Sequence, residues 1–216
     1  MIPDLLWRCP LCASNDALIH RPHWLRAEVV NCTACGAQWR VRRVVGDNYY
    51  LKITRSNEGA ATYPPGFELS ITAWYDLMKQ TVHLEALPGL SDLLEAGERL
   101  YLTSGPVTLW VEAQPTPGAG PLPLATAQAG PGRLFLTSRR LIWRQSSMEP
   151  QTFSFPLHQV NGIHAILNLG LSVVVGMQQY TLRFANESPL KWVTYAALLA
   201  PQVQAENGHR IRTSHY

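Results

Sequence analysis

The 216-residue chain has an ordinary apolar fraction of 46%, but only 15% of its residues are charged and its net charge is +3. This composition excludes an intrinsically disordered chain, which would combine few apolar residues with many charges. The net charge is too small to indicate a nucleic-acid or membrane partner. Charge falls in blocks, with a net +4 over residues 1–55, −5 over 56–97 and +4 over 98–216. The block pattern predicts separate modules.

The chain begins Met1-Ile2-Pro3-Asp4, with no basic segment followed by an apolar one, so we predict no secretory signal. Its most apolar run, residues 165–177, is too short to cross a bilayer. We therefore expect a soluble, cytoplasmic protein without a transmembrane segment, and peripheral attachment to a membrane stays open as an alternative.

All four cysteines lie before residue 36, in the pairs Cys9/Cys12 and Cys32/Cys35, each with two residues between its members. This spacing is typical of a site in which two tight turns supply four thiolates to one Zn²⁺. Gly36 suits the second turn because glycine takes positive φ readily, and Ala13 suits the first turn less well. A catalytic zinc keeps one position for water, so four cysteines predict one structural zinc ion.

Strands are predicted at residues 18–19, 27–30, 39–42 and 49–53, with a turn at 46–48. With its two cysteine pairs, the segment 7–55 resembles a zinc ribbon, and we assign residues 1–56 to this domain. One hypothesis is that this segment binds single-stranded nucleic acid. Arg40 and Arg42 would contact phosphates, and the neighbouring Trp39 would stack on a base. The alternative, which we favour, is that these arginines offset the negative charge of a zinc tetrathiolate or lie on an ordinary surface.

Residues 57–93 form an acidic connector in this interpretation. Apolar residues recur there at a spacing of three to four, which predicts a helix that begins after Ser70 and ends before Pro88. We favour packing of its apolar face against a neighbouring element over binding of a separate partner.

The C-terminal half has a β pattern. Strands are predicted at 99–103 and 107–111 around a turn at Gly105-Pro106, followed by an uncharged Pro/Gly-rich insertion at 113–132. Further strands are predicted at 132–144 in two runs, and at 152–157, 160–167, 171–177 and 180–184. Pro189 opens a helix over 190–199 that should end at Pro201, and residues 202–216 should form a flexible polar tail.

The run from Gly132 to Trp143 resembles the G-x-L-x-L-T-x-x-R-L-I-x pattern of GRAM domains and the corresponding run of GLUE domains. The order of the elements resembles that of a pleckstrin-homology (PH) fold. This resemblance implies, for residues 94–201, a PH-like partial β-barrel capped by a C-terminal helix, and a binding module rather than an enzyme. It also implies a phosphoinositide site in the first loop, but residues 103–106 carry no basic side chain. Arg139 and Arg140 are then the candidate contacts for an anionic ligand, and a solvated turn is the favoured alternative.

No motif of a hydrolase, a metalloprotease, a phosphate-binding loop or a dinucleotide-binding fold is present. We therefore predict a mostly β, α+β protein with two helices that is not an enzyme and has no small-molecule substrate. The favoured function is a zinc-binding adaptor that docks a protein partner through the PH-like domain, the zinc ribbon or both. The alternatives are recruitment to anionic lipid or phosphoinositide, and nucleic-acid binding by the ribbon.

Overall fold

Two β-sheets, one in each of two structural units, organise the chain in a computed structural model. The units are Met1–Val82 and His83–Tyr216. The structure describes residues 2–22, 27–44, 48–56, 63–89, 92–112, 126–166, 170–207 and 212–215. Strands outnumber helices in it, which confirms the predicted α+β class. Among the helices described, none is both long enough and apolar enough to cross a membrane.

The first unit contains a five-stranded antiparallel sheet whose strands follow one another in chain order. The four predicted strands are confirmed, α1 and β5 are additional, and residues 46 and 47 of the predicted turn lie outside the described residues. Its elements are α1 (Ile2–Leu5), β1 (Leu18–Arg21), β2 (Val29–Cys32), β3 (Gln38–Val44), β4 (Asn48–Arg55), β5 (Glu68–Ser70) and α2 (Ile71–Gln80).

Alternation along β3 and β4 gives this sheet a buried inner face and an exposed outer face. Successive side chains of a strand point to opposite faces, so every second residue reaches the core. The inward-facing residues of the two strands are Trp39, Val41, Leu51 and Ile53.

Helix α2 packs on the inner face through Trp74. Its indole Nε1 donates a hydrogen bond of 3.0 Å to the carbonyl of Leu51, and its ring meets that of Trp39 edge to face at a centroid distance of 6.3 Å. Ser70 caps the helix, since its Oγ accepts a hydrogen bond from the backbone N–H of Ala73. The predicted helix and its preference for core packing are confirmed.

In the described part of the second unit there are nine strands. They are β6 (Leu100–Thr103), β7 (Val107–Glu112), β8 (Thr126–Thr137), β9 (Arg140–Gln145), β10 (Thr152–Pro156), β11 (Val160–Ile166), β12 (Gly170–Val175), β13 (Gln178–Phe184) and β14 (Arg212–His215). The spatial order is β10-β9-β8-β7-β13-β12-β11-β14, and β6 also pairs with β8. No pairing among the described residues joins β10 to β14, so this sheet is open.

One face of the second sheet is covered by the helix α3 (Pro189–Asn207), which lies against β11 and β12. Every residue from 190 to 196 is buried, including Lys191, whose Nζ lies 3.0 Å from an Oε2 of Glu187. A helix that is buried over whole turns takes its stability from tertiary packing more than from its own propensity.

The predicted turn at Gly105-Pro106 is a bend between two strands that do not pair with each other. β6 pairs with residues 135–137 of β8, and β7 pairs with residues 126–132 of the same strand. Residues that follow β13 in the chain hold this bend in place. The N–H of Gly105 donates to Glu187 Oε1 at 2.6 Å, and the carbonyl of Pro106 accepts a hydrogen bond from the N–H of Ala185.

The predicted flexible insertion is wrong at its C-terminal end. Residues 113–125 lie outside the described residues, but Thr126–Gly132 form the first half of β8. A Cβ at Gly132 would lie 2.7 Å from Cε2 of Trp143 and would collide with the carbonyl of Arg144. Glycine therefore allows the neighbouring strand to approach. Two irregularities allow Pro131 to lie within the strand. The pairing with β7 shifts register at this point, and Gly130 has a positive φ of 83°.

The predicted helix end at Pro201 is also wrong. Helix α3 continues through Pro201 to Asn207, since a proline removes one backbone donor and can bend a helix without ending it. Part of the predicted polar tail forms β14, which pairs in parallel with β11. The exposed edge of β11 supplies the hydrogen-bonding partners that local sequence could not indicate.

A buried ion pair fixes the segment that precedes β6. The side chain of Glu98 is 0% exposed, and its carboxylate accepts hydrogen bonds from Nε and Nη2 of Arg140 at 3.1 and 3.0 Å. It also accepts from the hydroxyl of Thr137 and the N–H of Glu95. Burial alone would raise the pKa of Glu98, but these bonds outweigh burial and hold the pKa below the ordinary value of 4.5.

This pair should make stability depend on pH. A carboxyl whose pKa is lower when folded stabilises the protein above the unfolded pKa, and the contribution is lost as pH falls through the folded pKa. We predict that the free energy of unfolding decreases below about pH 4.5 and that Glu98→Gln weakens this decrease. At neutral pH, Arg140→Leu should cost about 3 kcal/mol, because it leaves a buried carboxylate without its cation.

Urea unfolding followed by circular dichroism measures both effects. The exposed neighbour provides the control, since Arg139→Gln should change stability by less than about 0.5 kcal/mol. An unaltered pH profile in Glu98→Gln would contradict the assignment.

Candidate metal centre

The four cysteines meet in the first unit, and all are free thiols. Their Sγ atoms all lie within 4.8 Å of one another, with Cys9 to Cys35 at 3.9 Å and Cys12 to Cys32 at 3.7 Å. Four sulfurs bound to one zinc ion at about 2.3 Å in a tetrahedron would be about 3.8 Å apart. The cluster therefore has the donor set and the dimensions of a site for one zinc-type ion.

The two cysteine turns have matching backbone geometry. The N–H of Ala13 donates to the carbonyl of Cys9 at 2.9 Å, and the N–H of Gly36 donates to the carbonyl of Cys32 at 3.0 Å. Both donors have positive φ, 59° at Ala13 and 71° at Gly36. Ala13 thus adopts the left-handed conformation in spite of its Cβ, and the less favourable residue does not prevent the first turn from forming.

Two hydrogen bonds connect the second cysteine turn to the residue before β1, the strand that follows the first cysteine turn. Both the N–H and the hydroxyl of Thr33 donate to the carbonyl of Ala17, at 2.8 and 3.1 Å. The next residue, Leu18, begins β1 and pairs with Cys32 in β2. The start of the sheet therefore fixes the distance between the two pairs of thiols.

The thiols differ in how readily they ionise. Burial raises the pKa of Cys9 far above the ordinary thiol value and that of Cys35 to about 11. Burial also acts to raise the pKa of Cys12, but hydrogen bonding with Ser14, whose Oγ lies 3.3 Å from the sulfur, outweighs it and lowers the pKa to about 7. A metal ion binds thiolates, so binding must displace protons from the buried thiols.

The residues predicted to contact nucleic acid are only partly brought together. Trp39 is 1% exposed and packs in the core, so it cannot stack on a base, and its predicted role is wrong. Arg40 and Arg42 are exposed on the outer face. Arg42 already binds the carboxylate of Glu68 through Nε at 2.9 Å and Nη2 at 3.1 Å.

The predicted pair for an anionic ligand is not a joint site. Arg140 binds Glu98, lies 2.9 Å from Oε1 of Glu95 and donates to the carbonyl of Leu93. Its guanidinium is therefore engaged, and its predicted role as an anion contact is wrong. Arg139 is exposed at the turn between β8 and β9.

Two charged residues near Arg40 and Arg42, namely Lys52 and Glu68, were not among the predicted site residues. Both line a cavity of 460 Å³, together with Arg40, Val41, Arg42 and Arg43. The sequence pattern does indicate Lys52, since Arg40, Arg42 and Lys52 occupy the outward positions of two strands with alternating apolar residues. Glu68 belongs to β5, a strand that the sequence pattern did not predict.

Comparison with known proteins places the chain in no family. No family model matches it, and no curated protein matches it. One solved structure that it resembles is described as the hSac2 domain from human phosphoinositide phosphatase Sac2. The alignment covers 57% of this chain and 81% of that chain, with 13% identity and a TM-score of 0.35. The likeness is too weak to carry an argument, and the resemblances to zinc ribbons and GRAM or GLUE domains rest on sequence motifs.

The conformation of Ala13 leads to a stability prediction. Ala13→Gly should raise the free energy of unfolding by about 1 kcal/mol in the presence of zinc, because glycine takes positive φ without the clash of a Cβ. The matched change Gly36→Ala in the other turn should lower it by a similar amount. Chemical denaturation of the three proteins measures both. A loss of stability in Ala13→Gly would show that the left-handed conformation is not the source of strain.

Proposed function

We propose that this chain is a non-catalytic, zinc-binding adaptor, with a zinc-ribbon unit held by one structural Zn²⁺ and a PH-like unit, and that it docks a protein partner. The observation that carries this proposal is the cluster of four thiols with the spacing of a tetrahedral shell. Four cysteine ligands fill every position, so the ion has none for water or substrate. Binding of the zinc ion then adds to the folding stability of a unit whose hydrophobic core is small.

The residues of the GRAM-like run support packing rather than ligand binding as their role. Gly132 makes room for Trp143, and Thr137 and Arg140 both bond to the buried Glu98. The residues that carry the resemblance thus stabilise the second sheet. This favours a docking module over a phosphoinositide site built from the same residues.

We infer that docking uses one end of the second sheet, where two methionines are exposed. Met148 and Met177 are 102% and 91% exposed, in the turns β9–β10 and β12–β13. Strands β9 and β12 run in the same direction, because three strands in alternating directions separate them in the sheet. Both turns therefore lie at one end of the sheet. They are four strand positions apart, about 19 Å in a flat sheet, so the two methionines are separate apolar contact points for a partner and not one continuous patch.

The zinc part of the proposal is tested by removing the metal. The purified full chain should contain one zinc ion, and Cys32→Ser should abolish tight binding, because a buried ligand is lost. A chelator should remove hydrogen-exchange protection from the first unit and leave the second unit protected, and added zinc should restore it. Loss of protection in both units would mean that they unfold as one cooperative structure.

The docking part is tested by capture with variants of the full chain. A partner retained by the native chain should be lost with Met148→Asp plus Met177→Asp, because charges there oppose burial of the surface. Ser146→Asp plus Gln151→Asp adds the same charge to exposed positions of the β9–β10 turn and serves as the control. Equal retention of every protein by native chain and variant would contradict docking through this surface.

A further inference from the structure

The outer face of the first sheet carries three cations at one cavity. Arg40 and Arg42 belong to β3 and Lys52 to β4, and all three line the 460 Å³ cavity. The register of the two strands places Arg40 directly opposite Lys52. We call these three residues the outer basic face. Arg43 also lines the cavity, but it follows Arg42 directly on β3, so its side chain starts on the other face of the sheet, beside that of its pairing partner Tyr49.

The charges of this face are not balanced from within the cavity lining. Glu68 is the one carboxylate among the residues that line the cavity, and Arg42 already holds it with two hydrogen bonds. The Arg42 guanidinium keeps the pKa of Glu68 below its ordinary value, so this carboxylate is ionised at neutral pH. The three cations of the outer basic face and this one anion leave an excess of positive charge.

Arg42 of the outer basic face is also held by an aromatic ring. Its guanidinium lies 5.0 Å from the ring centroid of Tyr50. Arg42 thus keeps a defined position at the cavity.

Arg40 and Lys52 are less fully paired. In the part of the chain that the structure describes, neither makes a side-chain hydrogen bond or an ion pair, although they face each other across β3 and β4. Lys52 also lies opposite Glu68 across β4 and β5 and helps to lower the pKa of that carboxyl, but both oxygens of Glu68 are held by Arg42. Like charges opposite each other destabilise a sheet. A fold that keeps this arrangement gains from a further anion that binds near Arg40 and Lys52.

The arrangement fits a compact anion of high charge. Opposite residues of paired strands lie about 5 Å apart and alternate residues of one strand about 7 Å apart, so the three cations of the outer basic face lie close together on it. A phosphomonoester carries a charge of about −1.5 to −2 at neutral pH and offers three acceptor oxygens to such donors. Arginine adds the planar pair of donors that matches phosphate geometry.

We propose that the outer basic face binds a phosphomonoester on a protein partner, a phosphorylated side chain, with Arg40 and Lys52 as its principal contacts. Arg42 supplies further positive charge. This inference rests on the proposed docking function and names the chemistry of the partner. Nucleic acid fits less well, because none of the residues lining the cavity is aromatic and the nearby ring of Tyr50 is covered by Arg42.

The test uses the zinc-loaded full chain and a short peptide with one phosphoserine. Fluorescence anisotropy should show binding that is at least about tenfold weaker for the unphosphorylated peptide. Arg40→Gln plus Lys52→Gln should weaken binding by a similar factor, and Arg99→Gln plus Arg139→Gln, which removes two exposed cations of the second unit, should leave it unchanged. Glu68→Gln should tighten it, because the cavity loses its negative charge. Inorganic phosphate should compete with the peptide.

The site variant should remain folded, since it removes an unfavourable pair of like charges, and circular dichroism checks this. Equal affinity for the phosphorylated and unphosphorylated peptides, or for native chain and site variant, would overturn the proposal. An oligothymidylate that displaces the phosphopeptide and binds more tightly would assign the face to nucleic acid and overturn it as well.

The outcomes separate this inference from the function on which it rests. Phosphopeptide binding by a chain that captures no partner would contradict the docking function and support the site. A captured partner that is retained after phosphatase treatment, and by the Arg40/Lys52 variant, would contradict the site and leave docking intact.

Discussion

Tetrahedral coordination of one metal ion would require four sulfurs about 3.8 Å apart. The backbone of the first unit holds its four cysteines close to that spacing. Each cysteine pair lies on a turn that closes with a left-handed residue, and Thr33 ties the second turn to Ala17, next to the first residue of β1. Cys32 is both a thiol of the cluster and a paired residue of β2. The sheet and the metal site thus share one stretch of backbone, and the position of each depends on the other.

Local features of the structure could be predicted from the sequence, because they depend on neighbouring residues. The cysteine spacing predicts the thiol cluster, alternation predicts β3 and β4, and Ser70 marks the start of α2. Predictions failed where tertiary contacts override local preference. Thr126–Gly132 contain glycine and proline yet form part of a strand, because β7 supplies hydrogen-bonding partners along this segment. Pairing with β9 begins only at Gly132, where Trp143 needs the space.

The roles of the arginines could not be predicted, because their partners are distant in sequence. Arg140 binds Glu98, and Arg42 binds Glu68, across separations of 42 and 26 residues. Arg40 differs from Arg42 by two positions on one strand and has no such partner among the described residues. A count of charges gives a net +3 for the chain. Only the ion pairs of the folded chain show which cations are already neutralised by a carboxylate and which can still attract an anionic ligand.

The order of the strands in the second sheet also has a consequence for folding. Strands β6 to β10 pair with near neighbours along the chain, and so do β11 to β13. Among the described residues, strand pairing joins the two groups only between β7 and β13, and Tyr180 and Val111 in that pairing are about 70 residues apart. Closing so long a loop is entropically costly, so this pairing should form late on the folding pathway.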